Sequence, residues 1–139
     1  MLKKLFALLA ILLLTGCSAR ERAQPLAPDA LPSQVPDLSG SYVVNGFDPL
    51  GTEYGGHLTI KPGPVEGEYL LQWIVVGSIQ EGRGHVEGNQ LIVEWHTVEG
   101  MAESQGTAVY TITQAGELYG YRMIQGEARK GTENAFPND

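Results

Sequence analysis

The chain has 139 residues, 42% of them hydrophobic and 18% charged, with 16 acidic side chains against 9 basic ones and a net charge of −7. That balance argues against nucleic acid and anionic lipid headgroups as partners, because both repel an acidic surface. A single cysteine, Cys17, excludes a disulfide within the chain.

Met1 to Lys4 carries two lysines, and Leu5 to Leu14 is an unbroken apolar run of ten residues. A bilayer span needs roughly 20 residues, whereas the apolar core of a secretory signal needs roughly 7–15. The run ends in Leu14-Thr15-Gly16-Cys17. These four residues, behind those flanks, resemble the lipobox of bacterial lipoproteins. The resemblance implies that residues 1–16 are a lipoprotein signal peptide and that the Cys17 thiol, the nucleophilic sulfur, receives a diacylglycerol. Cleavage before Cys17 and acylation (with palmitate, for example) of the freed amine follow in that family. Two or more acyl chains hold a protein stably on a membrane, where one does so only marginally. Ser18 stands where enteric-type lipoproteins retained in the inner membrane carry Asp, so the resemblance further implies anchoring in the outer membrane, facing the periplasm. Loss of residues 1–16 leaves 123 of the 139 residues and, with Lys3 and Lys4 gone, moves the charge from −7 to −9.

Residues 17–38 comprise this cysteine and a tether. Pro25, Pro28, Pro32 and Pro36 recur three or four apart with no glycine among them, a spacing that favours extended, polyproline-like backbone. At about 3.1 Å per residue the segment reaches on the order of 60 Å. Asp29-Ala30-Leu31 allows a short helix.

Residues 39–136 form the folded domain. Glycine becomes frequent and apolar residues alternate, while no window holds a helical period. Strands are predicted near 41–47, 54–61, 68–76, 79–86, 90–97, 107–114 and 117–124, with a short closing strand between 126 and 136. Asp48-Pro49-Leu50-Gly51 marks the first turn, although Asn45-Gly46 competes as a hairpin signal. Pro62-Gly63-Pro64, Gly88-Asn89 and Ala115-Gly116 mark later links, and Val98 to Gln105 reads as a loop. Gly67 to Trp73 and Gly88 to Trp95 echo each other, each a glycine turn leading into an apolar strand with a long polar residue before tryptophan.

Short links between consecutive strands make an all-β antiparallel meander of seven to eight strands, and closure into one small barrel removes exposed edges. Alternation assigns to the interior Tyr42 and Val44; Tyr54, Leu58 and Ile60; Tyr69, Leu71, Trp73 and Val75; Leu91, Val93 and Trp95; Ala108, Tyr110 and Ile112. Gly56, Gly82 and Gly84 leave room beside the rings. On the seventh strand Tyr119, Tyr121 and Met123 compete with Leu118 and Ile124. Gly40-Ser41-Tyr42, the two glycine-to-tryptophan strands and Gly116-Glu117-Leu118-Tyr119-Gly120 resemble the calycin-like and avidin-like meander barrels of bacterial envelope proteins. Avidin's ligand residues have no matching motif here.

The interior of such a barrel is its default ligand cavity, and Tyr69, Trp73, Trp95 and Tyr110 are the candidate ligand-lining residues, competing with the alternative that these rings simply fill it. His57, His85 and His96 lie on different strands without tight ligand spacing, so no metal is expected and no cofactor. Ser78 lacks the second glycine of a nucleophile elbow, and Gly82, Gly84 and Gly88 miss dinucleotide spacing; no enzyme is expected. Arg83, Arg122, Glu81 and Glu94 suggest a polar cluster. The expected function is a non-catalytic binding module for a small apolar ligand. The alternative is an envelope inhibitor or assembly factor that binds a protein through barrel loops. Lipoprotein inhibitors of lysozyme share the anchor and a small barrel, but Ser39-Gly40 precedes Tyr42 at the wrong spacing for their motif and their disulfide is missing.

Overall fold

A computed structural model describes residues 26–100 and 104–138. The expected signal peptide, the lipobox-like residues with Cys17 and the part of the expected tether before Leu26 lie outside the described residues. The strands are β1 (Gly40–Phe47), β2 (Glu53–Pro62), β3 (Glu68–Val75), β4 (Ser78–Glu87), β5 (Gln90–Gly100), β6 (Gln105–Ile112), β7 (Leu118–Ile124) and β8 (Gly131–Pro137). Each pairs antiparallel with the next, and β8 pairs with β1 through Tyr42–Pro137 to Phe47–Thr132, so the sheet closes into an eight-stranded barrel. Among the described residues there is no helix.

Strict alternation explains the closure. In β1, Tyr42, Val44 and Gly46 are buried while Ser41, Val43, Asn45 and Phe47 are exposed. The predicted inward set is the core: Leu58, Trp73, Leu91, Val93, Ala108, Tyr110 and Ile112 are fully covered, and Tyr54, Tyr69 and Val75 pack against them. On β7 the buried residues are Leu118 and Arg122, Ile124 packs against the core, and Tyr121 is exposed. Asn45-Gly46 is strand and not turn. Gly46 faces inward, and a Cβ there would lie 2.7 Å from the Tyr54 ring, so glycine is what lets that ring lie against the backbone. Gly82 does the same for Trp73, whose Cζ3 would be 3.0 Å from an added Cβ. The turn is Asp48 to Gly51. Gly51 has φ +84° and donates to the Asp48 carbonyl at 2.9 Å, and Asp48 Oδ1 accepts from the Leu50 and Thr52 amides at 2.9 Å each.

The link after β5 is shorter than the sequence suggests, because β5 continues to Gly100. The register steps from Ile79–Glu99 to Gln80–Thr97, leaving Val98 unpaired. This is a β-bulge, an extra residue that bends a strand without ending it.

Residues 26–38 are extended but not free. They lie across the end of the barrel where β1, β3, β5 and β7 begin. Asp29 bridges Thr113 where a short helix seemed allowed. The Ala30 amide donates to the Ile112 carbonyl at 2.9 Å, and the Gln114 amide to the Pro28 carbonyl at 2.8 Å. Ala30 and Leu38 are 2% and 0% exposed, part of the core itself. Glu117 accepts from the Ala27 amide at 2.7 Å and from Thr113 Oγ1 at 2.9 Å. The proline-rich stretch is therefore, from Leu26 onward, a strap sealing one end of the barrel. The opposite end carries the links at 48–52, 76–77 and 125–130.

Candidate functional site

In β8 the inward residues are Gly131, Glu133 and Ala135. This parity drives a carboxyl into the barrel, where Glu133 is 0% exposed. A buried charge is costly unless it is paired and hydrogen-bonded, and Glu133 is both. Oε1 accepts from Trp73 Nε1 at 2.9 Å and Tyr110 Oη at 2.7 Å. Oε2 accepts from Tyr54 Oη at 2.5 Å and Arg122 Nη1 at 3.0 Å. Two donors on each oxygen fill the acceptor positions of an ionised carboxylate.

Arg122 comes from the neighbouring strand. Its guanidinium lies over the rings of Trp73 and Trp95, with centroid distances of 4.8 and 4.4 Å. Two such cation–π contacts in a desolvated place are worth more than exposed ones. Nη2 donates to Gln80 Oε1 at 2.6 Å. The two echoing glycine-to-tryptophan strands thus supply the two rings that face one guanidinium. Burial pulls the Arg122 pKa down, but the charge of Glu133, with Tyr110 and Tyr54, outweighs it and holds the group above its ordinary value. Burial and then the nearby Glu133 push both Tyr54 and Tyr110 upward, so their phenols stay protonated.

A cavity of about 200 Å³ opens at the end away from the strap. Its walls include Phe47, Tyr54, Val75, Trp95 and Ile124, and Gln80 and Arg122 line it as well. Glu133, Trp73 and Tyr110 do not line it, so the guanidinium lies between the opening and the carboxylate. Of the four candidate ligand-lining residues, Trp95 therefore lines the cavity, and Trp73 and Tyr110 lie behind it as donors to Glu133. Tyr69 lies at the strap end, where its Oη accepts from the Leu38 amide at 3.3 Å and donates to Asp37 at 3.2 Å. Arg122 and Glu133 were not among the four. The signal for them was a charged residue at inward parity on each of two adjacent strands, flanked by glycine or alanine (Gly120-Tyr121-Arg122 and Glu133-Asn134-Ala135).

The suggested cluster of Arg83, Arg122, Glu81 and Glu94 divides between the two faces of the sheet. Arg122 is inside, while Glu81, Arg83 and Glu94 are exposed outside, with Arg83 opposite Glu94 in register. His57, His85 and His96 are exposed, and His85 contacts Glu87 at 3.1 Å. A wider groove of about 1240 Å³ runs over this outer surface past Lys61, Gln72, Glu81, Arg83 and His96. Those side chains are exposed and mixed in sign, and Leu70, Trp95, Met123 and Ile124 line the groove as well.

No family model matches the chain, and no curated protein matches its sequence.

Proposed function

We propose that this chain is an envelope lipoprotein, held in the outer membrane through lipid on Cys17 and facing the periplasm, whose barrel is a non-catalytic binding module for a small ligand with an apolar body. The observation that carries the binding reading is the cavity at the open end, walled by Phe47, Val75, Trp95 and Ile124. The deeper interior is occupied by the Glu133 network, so the ligand sits in the mouth and not along the barrel axis. The titratable groups beneath it are committed to one another, which suits binding better than proton transfer. Ala27 is held by Glu117 at the sealed end, opposite the mouth. The test is a titration of tryptophan fluorescence with small apolar compounds. Binding should be saturable and should be lost in Val75→Trp, which fills the mouth. Unchanged quenching in that variant would place the ligand elsewhere.

A second reading has its own support. Phe47, Leu50, Val76 and Val98 are 45%, 71%, 88% and 53% exposed around the open end, and exposed apolar groups gathered on one rim suit a protein partner. Capture of one envelope protein by the intact chain, lost on Leu50→Asp with Val76→Asp, would favour an inhibitor or assembly factor.

A further inference from the structure

We infer that the ligand of the open-end cavity is a small organic carboxylate whose head sits on Arg122 and Gln80 and whose apolar body lies against Trp95 and Val75. This rests on the binding reading above and adds the chemistry of the head group.

Glu133 has its acceptor positions filled by four donors. Arg122 spends one N–H on Glu133 and one on Gln80, which leaves N–H groups of the guanidinium fork unspent. Gln80 gives its oxygen to Arg122, so its amide nitrogen, a donor, points elsewhere. Both residues line the cavity and Glu133 does not. An incoming molecule therefore meets hydrogen-bond donors and a positive charge before it meets the buried carboxylate. Asp48, a carboxylate on the same wall, has Oδ1 engaged by the Leu50 and Thr52 amides.

Shape narrows the class. Trp73 and Trp95 lie against the guanidinium, so its open positions are in its own plane. A carboxylate matches that fork edge to edge and has no further oxygens to place, while a sulfate or phosphate, which the fork also accepts, brings extra charged oxygens that the apolar wall would have to desolvate. Size narrows it further. A cavity of about 200 Å³ holds roughly seven water volumes at about 30 Å³ each. That is below the roughly 300–1,000 Å³ of sites for drug-sized ligands, so the body is a single ring or a short chain.

The probes are benzoate, benzyl alcohol, toluene and sulfate, titrated at neutral pH into the mature full chain in detergent, with a detergent blank. The readouts are calorimetry and the side-chain N–H resonances of Arg122 and Gln80. Benzoate should bind at least tenfold tighter than benzyl alcohol or toluene and should shift both sets of resonances. Gln80→Leu, which leaves the Arg122–Glu133 ion pair in place, should lower the ratio of benzoate to toluene affinity severalfold. Val75→Trp should abolish both. Toluene or benzyl alcohol binding as well as benzoate would overturn the head-group assignment while leaving an apolar binding module standing. Sulfate matching benzoate would overturn the choice of a carboxylate head. Failure of every probe at millimolar concentration would remove the cavity as a site altogether.

Discussion

Replacing Glu133 by Gln tests the centre of the barrel with almost no change of shape. The carboxylate accepts from Trp73, Tyr110, Tyr54 and Arg122. A glutamine keeps one acceptor oxygen and turns an NH₂ group toward two donors. It also leaves Arg122, whose side chain is 9% exposed, without its counter-charge. Breaking one side of a buried ion pair costs roughly 3–5 kcal/mol, against a total stability of about 5–15 kcal/mol. At roughly 4–8 °C per kcal/mol for a domain near this size, the thermal midpoint should fall by more than about 12 °C. Tyr54→Phe removes one hydrogen bond to a charged group and should cost less, about 1.5–3 kcal/mol. Arg122→Met combined with Glu133→Gln should recover part of the single-variant loss, because no bare charge remains. Differential scanning calorimetry and urea titration supply both numbers. If Glu133→Gln unfolds within a degree or two of the parent, the four hydrogen bonds do not organise the interior and the reasoning fails.

Trp73→Ala should cost roughly 3–5 kcal/mol as a large-to-small change in the core, while Glu94→Ala on the outer face should stay within about 0.5 kcal/mol; comparable losses in the two would mean that the strand parity is inverted. In an alkaline titration followed by tyrosinate absorbance, Tyr54 and Tyr110 should stay protonated until the barrel unfolds. Their folded pKa values are raised, so the stability they contribute is complete below about pH 10 and is lost as pH climbs toward the folded values; early titration of all six tyrosines in the native state would contradict the burial. Leu38→Ala should cost roughly 2–5 kcal/mol if the strap is part of the core, and near-neutrality would make it a mere linker. Cys17→Ser should abolish palmitate labelling and detergent-phase partitioning of the full-length protein in a Gram-negative host, and surviving label would sink the lipoprotein proposal.

The barrel was legible because its strands obey a period of two, and fifteen inward residues could be named from parity alone. What was hidden has physical causes. Arg122 and Glu133 break the rule that charged strand residues face water, and Tyr119 and Tyr121 gave the outer face of β7 an apolar look equal to that of Leu118 and Ile124. The strap buries Ala30 and Leu38 in the core and packs Val35 against it, at unequal spacings among prolines, a pattern with no period to detect. The bulge at Val98 interrupts alternation, so β5 seemed to stop at Thr97. Parity places Trp73 and Trp95 inside, but nothing in either strand says that a guanidinium lies against both rings.

The position of Glu133 on the last strand bears on how the barrel is assembled. Its partners lie far upstream, Trp73 by 60 residues and Tyr54 by 79, and Arg122 has no counter-charge until β8 arrives. The same strand zips to β1 and β7. Seam closure and neutralisation of the interior are therefore one event. A seven-stranded intermediate would carry both an open edge and a stranded cation among aromatic rings, so it has little to hold it together. Such long-range pairing makes nucleation slow and the final transition abrupt. A chain cut before β8, or one with β8 slipped by a residue, would leave Arg122 buried without its counter-charge.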